Sequence, residues 1–134
     1  MSQRFEIIRE SFDAFNDGRH EAWLANWDED VVLHEVPEIP DRDLYVGIEG
    51  MREWLENLRG VFGDARFEPH TVEELGDFLL TGVDAHSGDG GAPVPVEWKP
   101  WIVFRFEGEK VAEAWGFLAE APARQVAGLE DRVG

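Results

Sequence analysis

The spacing of the apolar residues changes partway along the chain, and this change limits the folds that are open to it. From Phe5 to Phe15, and again from Ile48 to Phe62, apolar residues recur every three or four positions, which is typical of helices with one buried face. From Asp64 onward this spacing is lost, and β-branched and aromatic runs separated by glycine turns replace it. Helices that precede strands, without alternation of the two, predict an α+β domain with an antiparallel sheet.

Single elements follow from the same pattern. The first helix ends at Asn16-Asp17-Gly18, a second has Trp23, Leu24 and Trp27 on one side, and Gly47 opens a third. A strand at 31–36 leads into an extended loop that reaches Asp43. We predict later strands at 66–75, 78–86, 94–106 and 110–118 and a short last helix at 122–128. With neither a linker nor a repeat in the sequence, residues 1–134 are expected to form one domain.

Charge and composition exclude several classes of function. The 12 basic and 29 acidic residues give a net charge of −17, which argues against partners such as nucleic acid or anionic membrane surfaces. With no cysteine, and with four histidines that lack metal-ligand spacing, we expect no metal and no cofactor. No secretory leader and no long apolar run is evident, so a cytoplasmic location is expected.

Three stretches of the sequence resemble a known family. They are Asp30-Val-Val-Leu-His-Glu-Val-Pro-Glu-Ile-Pro-Asp41 with Tyr45-Val-Gly-Ile-Glu-Gly-Met-Arg-Glu-Trp54, the earlier Ala14-Phe-Asn-Asp-Gly18, and the late pattern from Trp98 to Val111. From about residue 4 to residue 128 the chain resembles SnoaL-like proteins of the nuclear-transport-factor-2-like superfamily. The resemblance implies a cone-shaped, curved sheet wrapped around three helices, with an internal pocket at its open end. Relatives include ketosteroid isomerase, polyketide cyclases, limonene epoxide hydrolase and binding proteins without a catalytic role.

The resemblance assigns Glu35 to the position at which ketosteroid isomerase has its carboxylate base. An apolar pocket makes a carboxylate a better proton acceptor near neutral pH, whereas at a solvent-facing strand end Glu35 is one acidic residue among many. The oxyanion-hole positions of that isomerase correspond here to Ser11 and Ile102, and neither replaces the donor. The pocket aspartate of limonene epoxide hydrolase corresponds to Gly116. A simple ketosteroid isomerase is therefore not expected.

Apolar residues are expected to line the pocket if the third helix covers the concave face of the sheet. On the strand that contains Trp98, the resemblance turns the even-numbered residues inward, and on the last strand it places Ala114, Gly116 and Leu118 inward. The alternative is that all of these residues are ordinary core. The predicted ligand-binding residues are Trp27, Leu33, Tyr45, Trp54, Leu58, Phe62, Trp98, Ile102 and Phe104.

Asp84 and His86 are a second candidate pair because residues two apart on a strand share a face. On a concave face they form an acid–base pair at the pocket mouth that assists Glu35, and on a convex face they are surface groups. His34 is adjacent to Glu35 and must point to the opposite face, which makes it a structural or interface residue.

Three hypotheses for function remain open at this stage. The first is an enzyme that performs acid–base chemistry, such as isomerisation, cyclisation or hydration, on a small apolar molecule with Glu35 as base. The second is a non-catalytic protein that binds such a ligand, and the third is a dimeric scaffold. A homodimer is expected through the outward-facing residues Trp101, Val103, Trp115 and Phe117, because soluble monomers rarely expose such a patch.

Overall fold

The structure is a computed structural model that describes residues 3–35, 44–88 and 96–128. These ranges contain four helices and seven strands. The helices are α1 (Gln3–Asn16), α2 (His20–Leu24), α3 (Gly47–Phe62) and α4 (Glu120–Ala127). The strands are β1 (Trp27–His34), β2 (Leu44–Val46), β3 (Arg66–Leu75), β4 (Phe78–His86), β5 (Glu97–Trp98), β6 (Trp101–Glu107) and β7 (Lys110–Phe117).

The strands form one sheet in the order β2-β1-β7-β6-β4-β3, with β5 also paired to β4. All pairs are antiparallel except β1 with β7, which is parallel. The predicted α+β class is confirmed, but the prediction of a purely antiparallel sheet is wrong. The first strand enters the sheet beside the last strand in the chain, and local residue patterns do not determine the direction of so distant a pairing.

Glycines end several elements where the sequence places turns. Gly18, Gly76 and Gly108 have φ angles of 77°, 60° and 63°, which side chains disfavour and glycine adopts freely. At the end of α3, Gly63 has a φ of 68° and its N–H bonds the Arg59 carbonyl oxygen at 2.9 Å. Gly63 precedes β3 and Gly76 lies in the turn between β3 and β4, and both strands have the predicted bounds.

Several observed elements differ from the predicted ones. Trp27 begins β1 and is not part of the second helix. The predicted strand at 94–106 is two strands, β5 and β6, with Lys99 and Pro100 between them. Strand β2 was not predicted, because three residues are too few to show alternation. The predicted loop from Pro37 to Asp43 and the glycine-rich stretch at 89–91 lie outside the described residues.

The two faces of the sheet carry different packing. Helices α1, α2 and α3 contribute to the main core on the inner face, which also contains Val31, Leu79 and Phe106. On the outer face, α4 buries Ala123 and Ala127 against Leu80 and Val103. Its Arg124 bonds Glu120 on the same helix and Glu73 on β3.

The four residues that we predicted to form a dimer interface on the outer face are less exposed than expected. Val103 is 0% exposed because α4 covers it within the same chain, so its assignment to a dimer interface is corrected. Trp101, Trp115 and Phe117 pack against the same cluster but remain partly exposed. Three half-buried aromatic side chains therefore remain on this face beside α4.

Candidate functional site

A cavity of about 310 Å³ lies between the inner face of the sheet and the first three helices. This volume is near the lower end of the range for small-molecule sites. Eight of the nine predicted ligand-binding residues line the cavity. They are Trp27, Leu33, Trp54, Leu58, Phe62, Trp98, Ile102 and Phe104.

Strand alternation aims these side chains at the cavity. In the register of the sheet, Ile102 is opposite Gly116 and Phe104 is opposite Ala114, and all four residues line the cavity. The two small residues on β7 take up little volume on the inner face, so the space above them remains open. Leu33, which is paired with Ala114, extends this inner row to β1.

The cavity wall includes aromatic residues that were not predicted. Phe12 and Phe15 come from α1, Trp23 from α2 and Phe67 from β3. Trp23 contacts both Trp27 and Trp54, with ring centroids 5.6 Å and 5.8 Å apart. The helical spacing of Phe12 and Phe15 marks them as buried, but it does not separate a cavity wall from a filled core.

Glu35 follows the end of β1 and lines the cavity on the same side as Leu33. Its Oε2 accepts a hydrogen bond of 2.7 Å from Nε1 of Trp54 on α3. Among the cavity residues in the described ranges, Glu35 is the one with a charged side chain. The structure therefore brings one oriented carboxylate to an otherwise apolar wall.

Two basic side chains, Arg52 and Lys99, form ion pairs with acidic residues that do not line the cavity. Arg52 on α3 bonds Glu21, with Nη1 2.7 Å from Oε1. The Nζ of Lys99 lies 3.8 Å from Oδ1 of Asp84 on the outer side of the sheet.

Asp84 and His86 are not at the cavity. Leu79, Val83 and Ala85 of β4 contribute to the inner core, whereas the even-numbered positions Leu80, Asp84 and His86 point outward. Nδ1 of His86 lies 3.3 Å from Oε1 of Glu97, and Asp84 is beside Lys99. Their assignment as catalytic residues is therefore corrected: strand alternation turns both side chains to the outer face.

Tyr45 is also absent from the cavity wall. It is 4% exposed, and its hydroxyl accepts a hydrogen bond of 3.1 Å from Nδ2 of Asn57 on α3. The Tyr45 backbone lies so close to Gly50 that a Cβ there would be 3.1 Å from it. The tyrosine therefore packs beneath α3, and its ring contributes to the core.

His34 points to the opposite face from Glu35, as alternation requires. Its Nε2 lies 2.6 Å from Oε2 of Glu113, and its ring stacks on Trp115 with centroids 5.1 Å apart. Glu113 in turn accepts a bond of 3.1 Å from Nε of Arg105. This row of polar side chains crosses three strands on the outer face.

Few polar side chains other than Glu35 face the cavity. Ser11 of α1 is 6% exposed and lines it, and Ile102 offers no hydrogen-bond donor. Nε1 of Trp27 is buried without a hydrogen-bond partner in the described part of the chain. No three His, Cys, Asp or Glu residues in the described ranges group as a metal site, and none of the helices there is long and apolar enough to span a bilayer.

Comparison with known proteins places this geometry in a wider context. Residues 8–114 match the model of the SnoaL-like domain. No curated protein sequence matches the chain.

Solved structures share the fold at low sequence identity. An NTF2-like protein of unknown function from Burkholderia pseudomallei is 18% identical, with a TM-score of 0.79 over 95% of this chain and 98% of that one. TerC, co-crystallised with polyporic acid, is 18% identical, with a TM-score of 0.76 over 94% and 98%. IdmH from Streptomyces antibioticus, a putative polyketide cyclase, is 20% identical, with a TM-score of 0.72 over 86% and 91%.

Proposed function

The chain belongs to the SnoaL-like domain family, and from this premise we propose that it binds a small apolar molecule and performs acid–base chemistry on it, with Glu35 as the base. The reaction class is isomerisation, cyclisation or hydration, none of which requires a redox cofactor. Glu35 is the single catalytic candidate retained, because Asp84 and His86 lie on the outer face.

The observation that carries this proposal is the placement of the Glu35 carboxylate. It lies at the wall of an aromatic cavity, and the Trp54 indole holds one of its oxygens at 2.7 Å. A carboxylate that is fixed in this way does not need to be oriented when a substrate arrives. A solvent-facing acid at a strand end is not held in position in this way.

The structural relatives support the proposal at the level of the fold. IdmH is a putative polyketide cyclase and TerC was crystallised with polyporic acid, so this architecture holds small organic molecules in other proteins. Their identities of 20% and 18% are too low to transfer a substrate or a residue role to this chain.

A generic proton-transfer probe tests Glu35 without knowledge of the natural substrate. In 5-nitrobenzisoxazole a base removes the ring C–H proton while the N–O bond breaks, and the product is a coloured phenolate. We expect turnover by the wild-type protein and a rate lower by about 100-fold or more in Glu35→Gln, which keeps the side-chain shape but removes the proton acceptor.

Glu56→Gln is the matched control because Glu56 is exposed on α3 and does not line the cavity. It changes the net charge equally and is expected to retain the wild-type rate. A Glu35→Gln protein that turns over the probe at the wild-type rate contradicts the assignment of Glu35 as base.

A non-catalytic ligand-binding role is the second candidate, and the residues at the cavity floor favour it. Ile102 and Gly116 line the cavity where an enzyme of the isomerase or epoxide hydrolase type needs polar groups. Binding of apolar probes without any proton transfer to Glu35 supports this role over the enzymatic one.

We also propose that the protein forms a homodimer through the outer face of the sheet, without Val103. Trp101, Trp115 and Phe117 remain partly exposed beside α4, and the neighbouring β2 edge exposes Leu44 and Val46 at 40% and 56%. A second copy that covers the outer face would bury both groups of side chains, together with the polar row of His34, Glu113 and Arg105 that lies between them.

A further inference from the structure

The floor of the cavity is formed by neighbouring strands whose inward residues become more exposed in one direction. On β7, Ala114 is fully buried, Gly116 is half-buried, and Leu118, just past the strand end, is 48% exposed. On β6, Phe104 is 5% exposed and Ile102 is half-buried. The register pairs Phe104 with Ala114 and Ile102 with Gly116, so exposure rises in the same direction on both strands.

Strand β1 shows the same gradient on the other side of β7. Leu33 is 7% exposed and pairs with Ala114 on the parallel strand β7, whereas Glu35, two residues further along the chain, is half-buried. Gly116 follows Ala114 by the same step. The cavity therefore has a buried inner end around Ala114 and a more exposed outer end around Gly116, and Glu35 lies at the outer end.

The two smallest residues of the floor lie one after the other along β7. Ala114 is flanked by Phe104 on β6 and Leu33 on β1, and the next inward position is Gly116. Inward residues on a strand recur about every 6.6 Å and neighbouring strands are about 4.8 Å apart, so the floor is lowest along a narrow path on β7. An elongated ligand that lies along this path fits the floor better than a wide one.

Aromatic rings enclose the inner end. Phe12 and Trp27 line the cavity, and both contact Phe104, with ring centroids 6.2 Å and 5.9 Å from it. Nε1 of Trp27 is itself covered by protein atoms, and Ser11 supplies the one hydroxyl group among the described cavity residues. An apolar group gains from burial at this end, whereas a carbonyl group exchanges its bonds to water for few protein donors.

The position of Glu35 determines which end of a ligand reacts. The Trp54 N–H holds this carboxylate at the outer end. A carboxylate is a weak base, and it removes a proton from carbon when an adjacent carbonyl group accepts the electron pair of the broken C–H bond. The proton then resides on Glu35 and the ligand is an enolate, until the proton returns to a carbon atom. The carbonyl group must therefore lie beside the reacting carbon at the outer end, where water reaches it.

We propose that the ligand is an elongated, mainly apolar molecule with a carbonyl group at one end, and that it binds with its apolar end inward over Ala114 and its carbonyl end at Glu35. Ala114 then limits the size of the apolar end. The inference deepens the proposed function and rests on it, because it requires that the cavity bind a small apolar molecule.

Two ketones test whether the apolar end is the buried one. Para-isopropylacetophenone and para-methylacetophenone have the same carbonyl end and differ in the size of the apolar end. Calorimetry measures their affinities for the wild-type protein. We expect the isopropyl compound to bind about tenfold more tightly, because each additional buried carbon contributes to the affinity.

Proton relaxation in the presence of a neutral, water-soluble gadolinium chelate locates the two ends of the bound ketone. The chelate is too large for the cavity, so it relaxes protons at the outer end faster than protons at the inner end. For para-isopropylacetophenone bound to the wild-type protein, we expect faster relaxation of the acetyl methyl protons than of the isopropyl methyl protons.

A substitution at Ala114 assigns the preference to the inner end. Ala114→Val is expected to reduce the preference for the isopropyl compound to about twofold or less, because the added methyl groups occupy the space of the apolar end. Ala121→Val, at an exposed position on α4, is the matched control and should retain the wild-type preference. Far-UV circular dichroism and thermal unfolding verify that both variants are folded.

The outcomes distinguish this inference from the proposed function. If the isopropyl protons relax as fast as the acetyl protons or faster, or if the wild-type protein binds both ketones equally, the orientation is overturned while binding of apolar molecules stands. The orientation is also overturned if Ala114→Val weakens binding of both ketones to the same extent. If neither ketone binds the wild-type protein, the orientation and the proposed pocket function are both overturned. The two wild-type measurements decide the question even if Ala114→Val does not fold.

Discussion

At the scale of single residues, alternation along β1 places two adjacent polar side chains on opposite faces of the sheet. Glu35 follows Leu33 to the cavity, while His34 joins Glu113 and Trp115 on the outer face. This division follows from the geometry of a strand and was predicted from the sequence. The bond from Trp54 to Glu35 was not, because it joins a strand end to a helix whose position depends on the packed core.

The backbone at Gly88, which follows β4, closely approaches the end of α3, and a substitution can test this contact. A Cβ at Gly88 would lie 2.0 Å from the Asp64 carbonyl oxygen, and the Gly88 N–H bonds the Phe62 oxygen at 2.9 Å. Gly88→Ala must push the end of β4 away from α3, and we expect the free energy of unfolding in urea to fall by about 1–3 kcal/mol.

Gly60 is the matched control within α3, since a Cβ there meets nothing within 4 Å. Gly60→Ala should raise the free energy of unfolding by about 0.5–1 kcal/mol, because alanine loses less chain entropy in a helix. Equal effects of the two substitutions would contradict the close approach at Gly88.

His20 predicts a pH dependence of stability. Partial burial, and secondarily the charge of Arg59, lower the pKa of His20 from its ordinary value of 6.5. Below pH 6.5 His20 therefore binds a proton in the unfolded chain before it does so in the folded chain. As the pH decreases, the free energy of unfolding decreases as well, until the pH reaches the pKa of His20 in the folded chain. Above pH 6.5 His20 is neutral in the folded and in the unfolded chain, so a further increase in pH does not change the free energy of unfolding through this residue.

Urea unfolding at several pH values, from about 7 down to about 5, checks this window. His20→Gln has no ionisable group, so its stability should fall less than that of the wild-type protein over this interval. Parallel curves for the two proteins would show that His20 is not the group responsible.

At the scale of elements, Trp27 shows where local pattern and tertiary pairing disagree. Its spacing from Trp23 suggests a helix, but it pairs with Val111 of β7 in the sheet. Between Trp27 and Val32 the register with β7 shifts, and the acidic residues Asp28, Glu29 and Asp30 lie in this irregular segment. A partner strand more than eighty residues away supplies the pairing that keeps Trp27 extended.

The packing of helix α4 predicts that the same substitution at two of its alanines has very different effects on the free energy of unfolding. Ala127 is 1% exposed against the Val103 cluster, whereas Ala121 is exposed in the first turn. Ala127→Asp places an unpaired charge in an apolar contact and should lower the free energy of unfolding by about 2 kcal/mol or more. Thermal or urea unfolding measures the loss.

Ala121→Asp introduces the same charge at the exposed helix start, where a negative group is favourable, and should leave stability unchanged or slightly higher. If both variants unfold like the wild-type protein, α4 does not pack on the sheet as described.

At the scale of the whole molecule, the proposed dimer predicts twice the chain mass in light scattering at about 100 μM protein, in salt that screens the net charge of −17. Val46→Glu puts a charge on the outer face at a side chain that is 56% exposed, and should shift the mass to that of one chain. Val61→Glu, at 58% exposure on α3, is the control and should remain dimeric. A monomer mass for the unmodified protein would overturn the proposal.

The sequence by itself determined which residues form most elements and which of them are apolar. Helical spacing identified α1 and α3, and glycine turns bounded β3 and β4, because these features depend on a residue and its near neighbours. The same local information, with the resemblance to a known family, was enough to predict eight of the cavity residues.

Only the tertiary structure decided which face of the sheet each element meets. Asp84 and His86 share a face in the sequence, but the packing of β4 turned that face away from the cavity. Helix α4 covered Val103, Tyr45 was taken into the core beneath α3, and β1 joined β7 in parallel. Each of these outcomes depends on contacts between residues far apart in the chain, and their free energies are not encoded in any local pattern.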